Sequence, residues 1–340
     1  MVMTPLAGAF GGLLASGILS LDSIGSVTRW RMIFVVEGII TTGLGIIALV
    51  FLTDNPGTAR WLSEEEKQLA IDRVKIERVG QDELVDKVNT IRMKRGALNP
   101  ATISTAIVFL LNNVVALGIA FFLPTVIRTI YPQRTVVQIQ LLSVPPYVVA
   151  AFCLLTASYL SSRFDTRQIF LVLHGPLVMV GYAMLLATTN ASVRYAAIFL
   201  TASSIYIGGP FSNSQVSANT VSDTARNMGI AINSMYSLWM DMKSFEANVI
   251  AGGSGYLGGL VATWTYLPFD GPLYPIGNGI NLAASATIII VTSSFYAWMK
   301  FDNKKRDRTT HEERERKLQG LTEAEIASLE YKHPDFRWRP

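Results

Sequence analysis

Four polar side chains lie where a bilayer would surround them. Glu37, Asn112, Asn113 and His174 each fall inside a long apolar run. An ionisable group near the centre of a membrane helix costs roughly 2.5 kcal/mol or more, so it is expected to face a partner or a water-filled cavity. These residues are our candidates for a substrate or proton site. For Glu37, an ion pair that fixes helix packing, or a hydrated position near the interface, fits equally well.

The two asparagines and the histidine differ in what their spacing allows. Asn112 and Asn113 are adjacent, so on a helix they point about 100° apart. We expect one to face a central cavity and the other to bridge a neighbouring helix. His174 precedes Gly175 and Pro176, and a proline at that point bends the helix. A proton relay and a neutral histidine that is hydrogen-bonded at the kink both fit.

A third group of charges lies in the stretch 231–264. Asp241, Lys243 and Glu246 fall at its centre, between apolar, small-residue sequence on either side. They could form an ion site at the elbow of a broken helix, as transporters use. A loop, or sequence that is foreign to the surrounding helix, is the alternative.

The elements that must position these residues are membrane helices. The chain has 340 residues, a mean hydropathy of +0.34 and only 16% charged residues, well under the roughly 25% of soluble domains. Several apolar runs reach the roughly 20 residues that span a bilayer. They are 4–21, 32–53, 101–124, 140–161, 168–187, 193–211 and 278–300. We therefore predict an all-α, polytopic membrane helix bundle.

One of these runs carries a helix-breaking pair. Pro145 and Pro146 lie inside 140–161, and each proline removes a backbone donor from the helix. We expect the backbone to open there, as in the broken helices of transporters.

The charge distribution predicts four regions and an orientation. Most Lys and Arg residues lie in 54–99 and after residue 299, and such basic segments lie on the cytosolic side of a membrane. The expected regions are a two-helix transmembrane part (1–53), a cytosolic central loop (54–99), a six-helix transmembrane part (100–300) and a cytosolic tail (301–340).

Two short helices are predicted in the cytosolic regions. Ser63 with Glu66, and Thr322 with Glu325, have the spacing of capping boxes before apolar positions. We expect the first to begin an amphipathic helix in the central loop. Both helices would pack on the membrane face or on helix ends, although solvated segments are the alternative.

The remaining composition speaks against several other classes of protein. Cys153 is the single cysteine, so neither a disulfide framework nor a paired-cysteine metal motif is expected. The sequence lacks the signatures of nucleotide-binding, metalloprotease and serine-hydrolase enzymes. We therefore expect no enzyme activity, cofactor, metal or nucleic-acid partner, and the lipid bilayer as surroundings.

Four motifs carry a resemblance to a known family. They are WRMIFVVEG (30–38), FLTDNPGTARWLSEEEKQLA (51–70), QIQLLSVPPYVVAA (138–151) and HPDFRW (333–338). Together they resemble the allantoate permease family, the fungal anion:cation symporters of the major facilitator superfamily. The similarity extends over essentially the whole chain.

The resemblance implies a secondary transporter with twelve helices in two halves and a substrate cavity between them. The family's substrates are small organic anions, such as allantoate-like or vitamin-like carboxylates, and their transport is commonly coupled to protons. Glu37 matches the family's motif glutamate, and Asn112 falls in its seventh helix, which lines the cavity. A plasma-membrane location follows by the same comparison. No cation that could bind a carboxylate is recognised inside the predicted spans, so it is expected in the other half of the family's fold or at the N-terminus of a helix.

Two departures from the family pattern qualify this expectation. Met1 aligns with the start of the family's fifth helix, so about eight helices, resembling helices 5 to 12, are expected, and transport would be impaired or incomplete. A non-transporting paralogue or a membrane scaffold is the alternative. In addition, removing 237–254 would restore a single eleventh helix. We therefore interpret that segment as an insertion and leave Asp241, Lys243 and Glu246 out of the site.

Overall fold

In the computed structural model, all regular secondary structure of the described residues is helical. These residues are 2–21, 28–53, 56–77, 90–235, 255–322, 325–326 and 329–340, and they contain no strand. The predicted insertion at 237–254, with its three charges, lies outside them. The all-α expectation is confirmed.

The chain divides into two compact units, of which the smaller is Gly17–Lys87. It contains α2 (Arg29–Phe51), a short 3₁₀ turn and α3 (Glu64–Glu77). The predicted capping box forms, because Ser63 N donates to Glu66 Oε2 (2.9 Å) and Glu66 N donates to Ser63 Oγ (3.3 Å). Leu69, on the apolar side of α3, is nevertheless exposed.

The larger unit, Met1–Ser16 with Val88–Pro340, holds most of the helices. Helix α1 (Met3–Leu19) begins in it. The others are α4 (Thr90–Ala97), α5 (Pro100–Ile130), α6 (Val136–Phe164), α7 (Gln168–Ala187), α8 (Ala191–Ala218), α9 (Asp223–Met235), α10 (Gly255–Thr263), α11 (Pro275–Asp307) and α12 (His311–Leu318). Each apolar run predicted to span lies on one of these helices or on α2. By length and composition, α2, α5, α6, α7 and α11 could cross a membrane.

Four helices of the larger unit close into a ring. Helix α5 packs on α8, α8 on α7, α7 on α11, and α11 again on α5. Their facing sides supply a continuous apolar core that includes Ile127, Leu171, Ile205 and Ile288. Helix α6 packs outside α8, whereas α9 and α10 pack against α5. The ring is what brings residues distant in sequence to a common interior.

Helix α6 does not break at its proline pair. It is continuous from Val136 to Phe164, so the expected opening at Pro145 and Pro146 is wrong. Pro146 has no N–H for the carbonyl of Leu142, but the hydroxyl of Tyr195 on α8 donates to that carbonyl at 2.9 Å. A neighbouring side chain thus satisfies the backbone group that the proline leaves free.

The C-terminal tail, which we define as residues 329–340, folds back over the end of the ring where α5 begins and α8 ends. Arg339 N donates to Asn219 Oδ1 (2.8 Å), just after α8, and Gln215 Nε2 donates to Arg339 O (2.9 Å). Trp338 packs on Phe295 and Met299 of α11. The tail therefore joins the ends of α8 and α11. The second predicted capping box, Thr322 with Glu325, also forms.

Candidate functional site

Asn112 lies in the interior of the ring, on α5. That helix begins at Pro100 after Asn99, whose side chain accepts from Ala101 N at 2.8 Å, a typical N-cap. Asn112 is only 3% exposed. Its Oδ1 is fully buried and has no hydrogen-bond partner in the described part of the chain. A buried amide oxygen without a donor costs about 1–3 kcal/mol, so it is poised to accept from a ligand.

His174 lies opposite, on α7, and is only 1% exposed. Its Nδ1 is 2.7 Å from the carbonyl of Leu171. A carbonyl only accepts, so Nδ1 carries the proton and Nε2 of the neutral ring is an acceptor. Nε2 is buried and has no partner among the described residues. The bond to Leu171 therefore fixes both the tautomer and the direction of the free nitrogen.

Gly208 on α8 brings these two atoms together. A side-chain carbon at Gly208 would collide with Asn112 Oδ1 and would lie 2.9 Å from His174 Nε2. Both free acceptors are thus directed at the same small space, which exists because position 208 has no side chain. We call Asn112, His174 and Gly208 the interior polar site.

The two atoms that face this space, Asn112 Oδ1 and His174 Nε2, are both acceptors. Two acceptor atoms that share a buried space repel each other, and the low local dielectric strengthens that repulsion. A proton on Nε2, or an N–H or O–H group of a bound molecule between the atoms, would convert the repulsion into hydrogen bonds. The arrangement is therefore suited to taking up a proton or a polar ligand.

The other two candidate residues lie elsewhere. Asn113 packs against α10, where a side-chain carbon at Gly258 would lie 2.7 Å from Asn113 Cβ and 2.9 Å from Val114 N. Close backbone approach is the use of glycine expected at a helix contact. Glu37 lies on α2, in the smaller unit, and its side chain is exposed. The structure thus brings Asn112 and His174 together, and neither Asn113 nor Glu37 belongs to the interior polar site.

Sequence analysis missed a second buried polar cluster in the ring. The hydroxyl of Tyr266 accepts from Asn281 Nδ2 (3.1 Å) and lies 3.4 Å from Asn278 Oδ1. The hydroxyl of Tyr182 is buried beside it. Tyr182, Thr201 and Tyr266 line a cavity of about 20 Å³, which is enough for one water. Asn278 and Asn281 are three residues apart, and that helical spacing was the available signal.

Arg194, the second residue of the predicted span 193–211, is also buried. It lies in the first turn of α8 and is only 3% exposed. The N-terminus of a helix is one of the two places in which a carboxylate-binding cation is expected from the sequence. The sequence alone does not show this burial, because the first residues of an apolar run can lie either in the interior or at the membrane interface.

Comparisons with known proteins agree with this architecture. Residues 1–240 match the Major Facilitator Superfamily. An uncharacterised transporter of Schizosaccharomyces pombe is 27% identical over 89% of this chain and 56% of its own length. The high-affinity nicotinic acid transporter of Saccharomyces cerevisiae is 25% identical over 88% of this chain and 52% of its own length. The chain thus spans little more than half of either relative.

A solved structure is also similar. It is a bacterial homologue of the human lysosomal transporter Spinster, in an inward-facing and occupied conformation, with 15% identity and a TM-score of 0.43, covering 86% of this chain and 66% of that one. The helical architecture and the match of residues 1–240 establish an integral, multi-pass membrane protein, and the chain belongs to the Major Facilitator Superfamily.

Proposed function

We propose that this protein takes part in secondary active transport of a small organic anion, coupled to protons. Membership of the Major Facilitator Superfamily supports transport. The family motifs resemble those of allantoate permeases, and one relative is named as a nicotinic acid transporter. Both point to small carboxylates. In this proposal the plasma membrane is its location, with the central loop (54–99) and residues 301–340 cytosolic.

The observation that carries the proposal is the convergence of Asn112 Oδ1 and His174 Nε2 at Gly208. Both atoms are buried, both are acceptors, and neither has a partner in the described part of the chain. Protonation of Nε2 would let the imidazolium donate to the Asn112 oxygen or to a substrate carboxylate. His174 is thus the proposed proton site and Asn112 the proposed substrate contact.

The other two candidates have subsidiary roles in this proposal. Asn113 sets the distance between α5 and α10 through its contact with Gly258. Glu37, on an apolar helix of the smaller unit, is proposed as a second titratable site that faces a partner or water during transport.

Transport in proteoliposomes tests the proposal. The purified chain is reconstituted, and uptake of labelled nicotinate, allantoate, pantothenate and biotin is measured with an acidic exterior. We expect uptake of at least one of these anions, stimulated by the pH gradient and abolished by a protonophore. His174→Gln places a neutral amide in the same space, and an amide cannot carry the proton, so this variant should lose the stimulation by the gradient.

Two outcomes of the uptake experiment would contradict parts of this proposal. If the folded chain takes up none of these carboxylates under a pH gradient, transport by this chain is refuted, and a non-transporting membrane scaffold is favoured. If uptake occurs but His174→Gln responds fully to the gradient, transport stands and the assignment of the proton site to His174 fails.

A further inference from the structure

Arg194 is buried at the end of the ring that lies opposite the C-terminal tail. It occupies the first turn of α8, whereas Gln215, which contacts the tail, lies near the end of the same helix. At 1.5 Å per residue these positions are about 30 Å apart. Although charged residues usually remain at the surface, only 3% of Arg194 is exposed.

Two donors of this guanidinium have no hydrogen-bond partner among the residues that the structure describes. They are Nε and Nη2, and both are buried. These nitrogens form one edge of the planar guanidinium, and their N–H bonds run side by side. Such a fork matches the two oxygens of a carboxylate, which it binds through two parallel hydrogen bonds. The unsatisfied edge is therefore the one that is complementary to a carboxylate.

No described carboxylate neutralises the charge. Asp270, for example, accepts from the backbone N–H groups of Ile276 and Gly277 (3.3 and 3.0 Å). Asp165 pairs with Arg167 (3.1 Å). An isolated buried charge is strongly unfavourable and requires an opposite charge with good geometry. The carboxylate of a bound anion would supply the counter-charge that the described residues do not provide.

The position of Arg194 connects it to the interior. Ile198 and Thr201 follow it at four and seven residues, so the three share one face of α8. Those two residues line the small cavity beside Tyr182. An anion held at Arg194 would thus be close to the buried polar cluster of the ring.

We propose that the Nε–Nη2 edge of Arg194 is a docking site for the carboxylate group of the transported anion. This inference rests on the proposed function, which it extends by naming the residue that recognises the charge. Arg194 contributes specificity for carboxylates over neutral analogues, because only an anion compensates the buried guanidinium.

Ligand-induced thermal stabilisation of the purified, detergent-solubilised chain tests the site without requiring transport. The probe is nicotinate, and nicotinamide is the matched neutral ligand. The variants are Arg194→Lys, which keeps the charge and loses the fork, and Arg194→Gln. Arg128→Gln is the control, because Arg128 is a cation in the last turn of α5, at the same end of the ring, and is exposed.

We expect nicotinate to stabilise the wild type and Arg128→Gln, and nicotinamide to stabilise neither. Both Arg194 variants should bind nicotinate at least about tenfold more weakly, equivalent to about 1.4 kcal/mol. Without ligand, Arg194→Gln should melt at or above the wild-type temperature, because it removes an unpaired buried charge. If Arg194 only stabilised the fold, its replacement would instead lower the melting temperature.

Three results would overturn the inference. They are undiminished nicotinate binding by Arg194→Gln, equal stabilisation by nicotinamide, and no stabilisation of the wild type by nicotinate. If Arg194→Gln binds nicotinate undiminished and uptake is intact, the docking site is refuted and the proposed function is retained. Conversely, nicotinate binding that depends on Arg194, without uptake, supports a carboxylate-binding site at Arg194 and refutes transport.

Discussion

The indole N–H of Trp338 donates to Oδ2 of Asp302 at 2.7 Å. Arg306 Nε donates to the same oxygen at 2.6 Å, so one carboxylate atom of α11 holds both the tail and its own helix. Asn303, the next residue, exchanges two bonds with the backbone of Trp338 (2.8 and 2.9 Å). Three hydrogen bonds from two adjacent residues, Asp302 and Asn303, thereby fix Trp338 of the tail to α11.

Trp338→Ala should strongly destabilise the larger unit. The side chain is only 2% exposed, and replacing a buried tryptophan with alanine typically costs about 3–5 kcal/mol. Trp338→Phe keeps most of the packing but leaves a carboxylate with one donor fewer, so a smaller loss of about 1–3 kcal/mol is expected. Thermal unfolding in detergent measures both.

Trp61→Ala is the control for the tail variants, since Trp61 is 71% exposed and its loss should change stability by less than about 0.5 kcal/mol. Equal melting temperatures for Trp338→Ala and Trp61→Ala would show that the tail contributes nothing to the stability of the ring.

Gly208→Ala should abolish transport while the adjacent Gly209→Ala does not. At position 208 the added methyl would displace Asn112 Oδ1 and His174 Nε2, and a shift of about 1 Å in a functional group can cost about 100-fold in rate. At position 209 the methyl meets only Phe109 Cε2, at 3.7 Å, an ordinary contact. Uptake per folded molecule in proteoliposomes compares them, and similar uptake by the two variants would contradict the role of the interior polar site.

The sequence predicts the helices better than it predicts the contacts between them. Apolar length alone locates the long helices, because the bilayer fixes how many residues a membrane helix needs. Capping boxes are likewise local, and Ser63–Glu66 and Thr322–Glu325 form as predicted. The approach of His174 to Asn112 depends instead on how α5, α7 and α8 pack. Neither the burial of Arg194 nor the bond from Tyr195 that keeps α6 continuous past Pro146 can be deduced from one helix.

Two glycines of α11 offer a matched test of packing. A methyl at Gly277 would collide with the backbone carbonyl oxygen of Thr265, whereas a methyl at Gly279 meets nothing within 4 Å. A backbone atom cannot rotate away, so Gly277→Ala should cost about 1–3 kcal/mol. Gly279→Ala should be neutral or stabilising by up to about 1 kcal/mol, from helix propensity. Thermal unfolding of both variants gives the comparison, and equal losses would contradict the close approach at Gly277.

The start of α3 should depend on pH through Glu66. Hydrogen bonds from the backbone N–H and then the hydroxyl of Ser63 lower the pKa of the Glu66 carboxyl below its ordinary value of 4.5. A carboxyl whose pKa is lower in the folded state stabilises that state above the unfolded pKa. This stabilisation is lost as the pH falls through the lower, folded value. Helicity at the start of α3 should therefore decrease on acidification below about pH 4.5.

Circular dichroism of a peptide covering residues 56–77 checks this dependence, since the bonds of this capping box are local. The peptide contains other carboxylates, so the informative quantity is the difference from Ser63→Ala, which removes the capping hydroxyl. Glu66→Gln supplies an uncharged acceptor at every pH and should flatten the profile. If wild type, Ser63→Ala and Glu66→Gln lose helicity in parallel on acidification, the capping box does not link the start of α3 to pH.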